Sequence, residues 1–353
     1  MRPTFSVVMA TRNSMRTLER VLKALRAQDF PSEQVELLVV DGASTDGTRE
    51  TAVRYGARVI DNPKVEPVNA KLLGLKEATG KYLMYLDSDE VLESDQALNK
   101  RAKVFAENPK VHMVFASGYA NAPGATFAAR YINEFGDPFS MYFYRLSKNA
   151  LFFVNVMRRW LTTVREEKDY LILKLGEGRQ PILENAACGN AIDLDFFRSK
   201  FPELCDKPWG PVHFFYHMQT YSKEFALTKD DAIVHFSADH WSGFLRKIDW
   251  RIRNNVFFVD DMGASGLTGR LRFEQSLAAR LRPYFYIPYV LLLLPVCADA
   301  VYLMWTRRDP AYWLHVPLSL YTLAVILSLK TLKSLGYRPR LTGYGEAASI
   351  RGR

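Results

Sequence analysis

Two carboxylates one residue apart, Asp87 and Asp89, follow a short apolar run in this chain. The run, Tyr82–Leu86, is typical of a buried strand, so the motif Asp87-Ser88-Asp89 comes where a strand leaves the core. In open α/β sheets that carboxyl edge is where ligands bind. Hard oxygen ligands suit Mg²⁺ or Mn²⁺, and a divalent ion there could neutralise a nucleotide diphosphate. The alternative is a polar turn that ends a strand, since Asp and Ser are common turn residues.

The elements that would position these acids alternate along the first 117 residues. Apolar residues at helical spacing predict the helices, and short apolar runs predict the strands. The predicted strands are Phe5–Met9, Val35–Val40, Arg58–Ile60, Tyr82–Leu86 and Val111–Ala116, and the predicted helices are 14–27 and Val68–Ala78. This β-α-β-α order predicts an α/β fold with a doubly wound, mostly parallel, Rossmann-like sheet.

The net charge of +9 is confined to the C-terminal third of the 353 residues. Residues 240–353 hold 16 of the 47 Lys and Arg but only 7 of the 38 Asp and Glu. The first two-thirds are therefore neutral and lack the basic footprint of a nucleic-acid binder, so no nucleic acid is expected as a partner. A basic segment that also carries long apolar runs indicates an anionic membrane surface.

The cysteines and the N-terminal residues indicate the cellular compartment of the protein. Cys188, Cys205 and Cys297 are odd in number and show no C-x-x-C spacing, which predicts neither a disulfide framework nor a zinc site and fits a reducing compartment. The apolar run Phe5–Met9 is too short for a signal peptide.

Three C-terminal segments predict membrane contact. Residues 244–258 combine an apolar helical stripe with basic residues off it, which indicates an interfacial helix or a helix packed on the N-terminal α/β domain with a solvated basic face. Pro283–Thr306 and Ala311–Leu329 reach the roughly 20 residues that a span requires. Basic residues flank every end, so the positive-inside rule gives no orientation. We expect two spans with both termini cytosolic; a hairpin that enters from one side and a buried soluble hairpin are the alternatives.

These patterns predict four regions. Residues 1–238 form the α/β domain, with an insertion over about 118–180 whose aromatic and basic stretch Tyr142–Trp160 is helical. Residues 239–282 are interfacial helices, 283–335 a transmembrane or re-entrant helical hairpin, and 336–353 a flexible polar tail.

Three stretches in order carry a family resemblance. They are Val7-Val8-Met9-Ala10-Thr11-Arg12-Asn13, then Val39-Val40-Asp41-Gly42-Ala43-Ser44-Thr45-Asp46-Gly47-Thr48, then Lys71 through Asp89. Together they resemble family 2 glycosyltransferases of the GT-A fold, specifically over about residues 4–95 and more weakly to about 240. Beyond that the resemblance rests on architecture, because many membrane-bound relatives carry C-terminal membrane helices.

The resemblance implies roles on the donor side. Thr11 and Asp41 match positions that contact the nucleotide, and Lys71 matches a position that is usually Arg. Asp87, Ser88 and Asp89 match the motif for sugar nucleotide and metal. His235, which follows Ala232-Ile233-Val234, matches a histidine that helps to bind metal or diphosphate; a lone His that ends a strand also fits a structural role. The implied cofactor is Mg²⁺ or Mn²⁺, and a UDP-sugar is the favoured donor.

The catalytic base is where this chain departs from the family pattern. Many relatives carry a Glu-Asp pair before a helix, and the stretch here, Phe201–Gly210, has none. Asp206 is the first candidate for a base and Glu203 the second. If the acceptor is instead a polyprenyl phosphate, its oxygen is already anionic and needs no base. Basic residues such as Arg145, Lys148, Arg158 and Arg159 could then bind its phosphate.

The expected function is an inverting, metal-assisted glycosyltransferase, bound to the inner or plasma membrane with its catalytic domain cytosolic. It would move a sugar to a lipid-linked glycan or a polyprenyl phosphate. A nucleotidyltransferase and a non-catalytic membrane scaffold are the alternatives.

Overall fold

A computed structural model of the chain describes residues 2–176, 187–258, 266–273 and 276–340. The chain forms two compact units. Unit 1 comprises Met1–Pro123 and Lys148–Ser237, and unit 2 comprises Gly124–Ser147 and Ala238–Arg353. The stretch predicted as one insertion over 118–180 is therefore divided, since its residues 124–147 belong to unit 2. The end of the predicted tail, 341–353, lies outside the described residues.

The strands of the described chain all lie in unit 1. In chain order they are β1 Phe5–Thr11, β2 Val35–Asp41, β3 Arg58–Asp61, β4 Tyr82–Tyr85, β5 Glu90–Leu92, β6 Met113–Phe115, β7 Tyr119–Asn121, β8 Thr162–Glu166, β9 Tyr170–Lys174, β10 Asn190–Asp193, β11 Glu224–Thr228 and β12 Ile233–His235.

The α-helices are divided between the units. In chain order they are α1 Leu18–Arg26, α2 Thr48–Arg54, α3 Pro67–Glu77, α4 Ala97–Glu107, α5 Phe127–Phe135, α6 Pro138–Tyr144, α7 Ala150–Trp160, α8 Leu194–Lys200, α9 Phe214–Met218, α10 Trp241–Phe257, α11 Leu267–Arg270, α12 Leu277–Leu281, α13 Tyr286–Leu291, α14 Leu294–Arg307 and α15 His315–Ser334.

The large sheet of unit 1 confirms the predicted α/β class. Its strand order is β3-β2-β1-β4-β10-β6-β11-β9-β8. The first four strands are parallel, as the alternating pattern predicts, and β10 then pairs antiparallel with both β4 and β6. Since β1, β2 and β4 run in the same direction, the residues that follow them lie at one edge of the sheet.

Close packing of α3 on β1 sets the distance between the helix and this edge. Gly74 faces Val8, and a Cβ atom at position 74 would lie 2.2 Å from Val8 Cγ1. Only glycine allows this approach, because any side chain would push α3 away from the sheet. Lys71, one turn earlier on α3, is held close to the strand ends for the same reason.

A second, three-stranded sheet supports the site from another side. Its order is β5-β12-β7, with β12 antiparallel to β5 and parallel to β7. In this register His235 pairs with Glu90 on one side and with Asn121 on the other. The strand that carries the predicted histidine is therefore fixed against the strand that directly follows the Asp87-Ser88-Asp89 motif.

Unit 2 is helical, and it buries polar contacts among its apolar helices. Phe244 and Ile248 of α10 pack in a hydrophobic cluster with Leu318 of α15. Tyr321 on α15 donates a hydrogen bond of 2.6 Å to Asp249 on α10. Within the region 244–258, Phe244 and Ile248 of the apolar stripe are thus buried against other helices of unit 2.

The predicted helical stretch Tyr142–Trp160 is interrupted. Helix α6 ends at Tyr144, the next residue Arg145 has a φ of 56°, and α7 begins only at Ala150. The Arg145 guanidinium forms an ion pair of 2.5 Å with Asp299, the one charged residue inside the first long apolar run. An ion pair compensates the burial of both charges, which explains how Asp299 is tolerated there.

The two apolar segments differ in shape. Pro310–Ser334 is the only helix in the described part of the chain long and apolar enough to cross a bilayer. The first segment is not one straight helix, because Leu277–Leu291 and Leu294–Arg307 meet at 87°. This bend is compatible with a broken span and with the re-entrant alternative.

Candidate functional site

Thr11 and Asp41 lie side by side where β1 and β2 end. The Thr11 hydroxyl donates a hydrogen bond of 2.8 Å to Asp41 Oδ2, and the backbone N–H of Ser44 donates one of 2.9 Å to Oδ1. Arg49 Nη1 lies 3.2 Å from the same carboxylate. Burial by itself would raise the pKa of Asp41, but these hydrogen bonds outweigh it and the pKa is lowered. Asp41 is thus a fixed, ionised acceptor at the sheet edge.

Ser44 and Arg49 are contributors that the sequence pattern does not single out. Arg49 also forms an ion pair of 2.7 Å with Asp61 at the end of β3. It therefore connects the ends of β2 and β3. The signal that could have suggested it is its place in the first turn of α2, directly after the turn that holds Ser44.

Lys71 and Asp87 form an ion pair at the end of β4. Lys71 Nζ lies 2.9 Å from Asp87 Oδ1 and 3.3 Å from Oδ2, and the Lys71 side chain is 12% exposed. The Tyr85 hydroxyl donates a hydrogen bond of 2.9 Å to the Lys71 carbonyl, which fixes the helix to the strand. The structure thus brings two of the predicted donor-side residues together.

The turn Asp87-Ser88-Asp89 is anchored by residues from distant parts of unit 1. The Thr17 hydroxyl donates a hydrogen bond of 2.8 Å to the Ser88 carbonyl, and the Ser88 and Ser14 hydroxyls lie 3.0 Å apart. The backbone N–H of Phe236 donates one of 2.8 Å to the Asp89 carbonyl. These contacts fix the backbone of the turn, and the fixed backbone positions the side chains of Asp87 and Asp89.

Asp89 and His235 provide two adjacent metal-ligand types. His235 Nε2 lies 3.4 Å from Asp89 Oδ2, and the imidazole packs against the Tyr119 ring at 4.8 Å between centroids. No group of three His, Cys, Asp or Glu side chains with metal-binding geometry occurs in the described part of the chain. A carboxylate and an imidazole fit Mn²⁺ or Mg²⁺ if oxygens from a bound diphosphate complete the coordination.

Glu90 is a buried carboxylate of the site that the sequence does not reveal. It is 1% exposed and accepts hydrogen bonds from the Tyr119 hydroxyl at 2.6 Å and the Cys188 backbone at 2.7 Å. It also accepts one of 2.9 Å from the Asp87 backbone. Burial first, and then the negative charge of Asp87, raises the pKa of Glu90 to about 7. Glu90 therefore supports the acidic turn through its hydrogen bond with the Asp87 backbone.

The candidate bases lie elsewhere on unit 1. Asp206 and Glu203 belong to a 3₁₀ turn, Pro202–Asp206. The Asp206 side chain is 75% exposed and forms an ion pair of 2.6 Å with Lys76, which lowers its pKa. Lys76 follows Lys71 by five residues on α3, or about 7.5 Å along the helix away from the acidic turn. Asp206 therefore pairs with a different lysine of α3 than Asp87 does.

Three of the basic residues named for a phosphate acceptor have different partners. Arg145 belongs to unit 2, where it pairs with Asp299, and Arg158 belongs to unit 1, where it pairs with Glu166. Lys148, also in unit 1, lies over the Tyr119 ring at 5.8 Å.

Comparison with known proteins accords with this geometry. The family model for glycosyl transferase family 2 matches residues 6–160, the segment that contains β1 to β4 and the acidic turn. The structure is similar to that of the mannosyltransferase PcManGT from Pyrobaculum calidifontis, solved in complex with GDP-Man and Mn²⁺. That similarity has a TM-score of 0.54 at 17% identity and covers 93% of this chain and 87% of PcManGT.

Curated relatives match shorter segments. The poly(ribitol-phosphate) β-N-acetylglucosaminyltransferase TarS of Staphylococcus aureus is 29% identical over 122 residues, which cover 32% of this chain and 21% of TarS. The GalNAc(5)-diNAcBac-PP-undecaprenol β-1,3-glucosyltransferase of Campylobacter jejuni is 31% identical over 101 residues, or 26% of this chain and 31% of that protein. The matched part is thus less than a third of either relative. Residues 6–160 are thus similar to glycosyl transferase family 2, and the chain has the GT-A fold.

Proposed function

We propose that the protein transfers a sugar, with inversion, from a nucleotide diphosphate sugar to a lipid-linked acceptor at a membrane surface. The observation that carries the donor side is the arrangement at one sheet edge of the Thr11–Asp41 pair, the Lys71–Asp87 pair and the Asp89–His235 pair. The first pair ends β1 and β2, and the other two use the turn after β4 together with α3 and β12, so the three pairs together can bind base, diphosphate and sugar. We retain a UDP-sugar as the favoured donor, with a GDP-sugar as the alternative because PcManGT was solved with GDP-Man.

In this proposal Asp41 accepts a hydrogen bond from the nucleotide base or a sugar hydroxyl, because its carboxylate is ionised and fixed. Thr11 orients it. Asp87 meets the ribose or the transferred sugar, and the Lys71 ammonium adds positive charge beside the diphosphate. Ser88 contributes the backbone of the turn. The groups assigned to these roles lie at the ends of β1, β2 and β4 and on α3.

Asp89 and His235 would hold Mg²⁺ or Mn²⁺ together with the diphosphate. Such an ion supplies neutralisation of the charge that develops on the departing nucleoside diphosphate. The Phe236 contact holds the backbone of Asp89, and the Tyr119 ring packs on His235. These supports keep the carboxylate and the imidazole close together, which limits the reorganisation that binding requires.

The acceptor side has two versions. In the first, a hydroxyl of a lipid-linked glycan attacks the anomeric carbon, and Asp206 or Glu203 takes its proton. In the second, the attacking oxygen belongs to a polyprenyl phosphate and is already anionic. The Campylobacter relative is named for a glycan linked to PP-undecaprenol and for a β-1,3 linkage, which supports the first version. The exposure of Asp206 and its ion pair with Lys76 favour the second version, because a lowered pKa makes a carboxylate a weaker base.

We therefore expect Asp206→Asn to slow turnover by less than about tenfold, whereas loss of a working general base typically slows it by roughly 10²–10⁴-fold. The measurement is steady-state release of nucleoside diphosphate with a lipid acceptor, together with donor affinity. If turnover instead falls by about a hundredfold or more at unchanged donor affinity, Asp206 is the base and the acceptor is a hydroxyl. Glu203→Gln provides the same comparison for the second candidate.

The function itself is tested with the purified full-length protein, a panel of UDP- and GDP-sugars, Mn²⁺ or Mg²⁺, and a membrane lipid extract. Release of nucleoside diphosphate and a glycosylated lipid in the mass spectrum are the expected results. Pyrophosphate among the products would instead indicate a nucleotidyltransferase. Donor binding without turnover for every sugar would indicate a scaffold and contradict the proposal.

Membrane attachment is part of the proposal and rests on unit 2. The helix Pro310–Ser334 and the bent pair Leu277–Leu291 and Leu294–Arg307 support it, as does the basic charge of the C-terminal third. We propose an inner or plasma membrane location with unit 1 on the cytosolic side, where nucleotide sugars would be available. Sedimentation with membranes that resists high salt but not detergent is the expected result.

A further inference from the structure

Unit 2 contains an open groove of about 560 Å³ that plays no part in the donor site. Tyr142, Leu277, Ala278, Leu281, Arg282 and Phe285 line it. All of its lining is apolar except the Tyr142 hydroxyl and the Arg282 guanidinium, and the Tyr142 hydroxyl donates a hydrogen bond of 3.1 Å to the Arg282 carbonyl. The groove therefore offers hydrocarbon contact with one positive charge at its wall.

Arg282 is a cation of this groove that no carboxylate of the described residues balances. Its guanidinium lies over the Tyr142 ring at 5.9 Å and the Phe143 ring at 5.7 Å. Within the described parts of the chain it forms no ion pair, in contrast to Arg145, which lies over the same Tyr142 ring and pairs with Asp299. A cation that packs against aromatic rings loses hydration without gaining a counter-charge. An anion at the groove would offset that loss.

The apolar lining continues into side chains that face outward. Leu277 is 70% exposed, Phe285 57% and the neighbouring Tyr284 62%. Further along, the consecutive residues Leu291, Leu292, Leu293 and Leu294 are exposed at the bend between α13 and α14. Soluble monomers rarely expose so many neighbouring large apolar side chains, and such a surface fits hydrocarbon chains.

We propose that this groove binds the phosphate-bearing end of a lipid. The phosphate lies against Arg282, and the first carbons of the chain lie along Leu277, Leu281 and Phe285. An uncharged lipid would leave Arg282 unbalanced, and a free phosphate would leave the apolar walls in contact with water. An amphiphile with a phosphate head satisfies both parts of the groove. That this lipid is the sugar acceptor rests on the proposed function; the binding itself does not.

Binding is measured with the full-length protein in detergent micelles, using farnesyl phosphate as the probe. Farnesol and inorganic phosphate are the comparison ligands. We expect farnesyl phosphate to bind at least tenfold more tightly than farnesol, and inorganic phosphate at millimolar concentration not to displace it. Equal affinity for farnesol, or displacement by inorganic phosphate, would overturn the proposal.

Two variants test the groove residues. Arg282→Gln should weaken farnesyl phosphate binding at least tenfold, and Leu281→Asn should weaken it severalfold while leaving the guanidinium in place. Arg280→Gln is the matched control, because Arg280 lies only two residues before Arg282, on α12, and does not line the groove. It should bind within about twofold of wild type, a difference of less than about 0.5 kcal/mol. Wild-type affinity in both Arg282→Gln and Leu281→Asn would refute the site.

The same preparations separate this proposal from the proposed function. Hydrolysis of the donor in the absence of lipid, measured as release of nucleoside diphosphate, tests the donor site of unit 1 separately from the groove. Intact lipid binding without any donor turnover would leave the groove supported and contradict the enzyme proposal. Donor turnover with no selectivity for farnesyl phosphate would support the enzyme proposal and contradict the groove.

Discussion

Asp89→Asn is expected to lower sugar transfer by about 10²–10³-fold, the loss typical when one charge-stabilising group is removed from an active site. The substitution keeps the size of the side chain and removes the charge that Mn²⁺ or Mg²⁺ would require. The fold of the turn should persist, because the Phe236 N–H bonds to the Asp89 backbone carbonyl and not to its side chain. Turnover is measured as nucleoside diphosphate release under saturating Mn²⁺.

Binding measurements distinguish a metal role from a general structural role. If Asp89 holds the ion, Asp89→Asn should abolish the Mn²⁺ binding seen by electron paramagnetic resonance in the presence of donor diphosphate. Affinity for the nucleoside monophosphate should be retained, because Asp41 and Thr11 are unchanged. His235→Asn should show the same pattern with a smaller loss, about 10–100-fold.

Asp195→Asn is the matched control for Asp89→Asn. Asp195 is an acid of unit 1 at half exposure, paired with Arg2 at 2.7 Å. It lies in the first turn of α8, next to the amino end of β4, at the opposite edge of the sheet from the acidic turn. Turnover of this variant should equal that of the wild type. Wild-type turnover in Asp89→Asn as well would refute the metal role.

The placement of Asp41, Lys71 and Asp87 at one sheet edge was predictable because it depends on local order along the chain. Parallel strands whose ends carry Asp41 and Asp87 bring these residues to one edge in any doubly wound sheet. The pairing of Lys71 with Asp87 follows from the position of α3 between β3 and β4. Here a short periodic pattern and a known handedness of connection suffice.

Other parts of the site depend on contacts that no local pattern contains. Glu90 resembles any acid after a turn until Tyr119 and Cys188, from distant segments, bury it. The approach of His235 to Asp89 requires the pairing of β12 with β5, which joins residues more than 140 positions apart. Burial of this kind arises only in the tertiary structure.

The bend in the first apolar segment could not be predicted from average hydropathy. Average hydropathy over Pro283–Thr306 indicates one span, but averaging ignores proline. Pro295 stands in the first turn of α14, directly after the bend at Leu292 and Leu293, and Leu293 has a φ of 58°. Proline favours the start of a helix and disfavours its interior, so it was an available signal for two helices in this run.

Arg101→Met is expected to destabilise unit 1 by about 3–5 kcal/mol, because it leaves the Asp231 carboxylate buried without its partner. Both side chains are 0% exposed, and Arg101 Nη1 lies 2.8 Å from Asp231 Oδ2. Thr228 donates a further hydrogen bond of 2.7 Å to the same oxygen. Hydrogen exchange of the β6 and β11 amides in the full chain measures the free energy of opening of this unit.

The matched control is Arg2→Met, which removes an ion pair of similar length, 2.7 Å, in which both side chains are about half exposed. Solvent screens such a pair, and its loss should change stability by no more than about 1 kcal/mol. Equal effects of Arg101→Met and Arg2→Met would contradict the assigned role of burial.

The double variant Arg101→Met/Asp231→Leu tests what the buried pair contributes. Burial raises the pKa of Asp231 even though Arg101 lies beside it, so the pair does not fully offset the loss of hydration. Replacing both charges should therefore cost less than the sum of the single variants.

The function of the double variant should still differ from that of the wild type. Arg101 Nε donates a hydrogen bond of 2.7 Å to the Gly189 carbonyl, and the adjacent Cys188 N–H bonds to Glu90. Removing the guanidinium loosens the turn that holds Glu90 beneath Asp87, even where stability is restored. Reduced donor turnover in a stable double variant is the expected result, and full turnover would show that Arg101 serves stability alone.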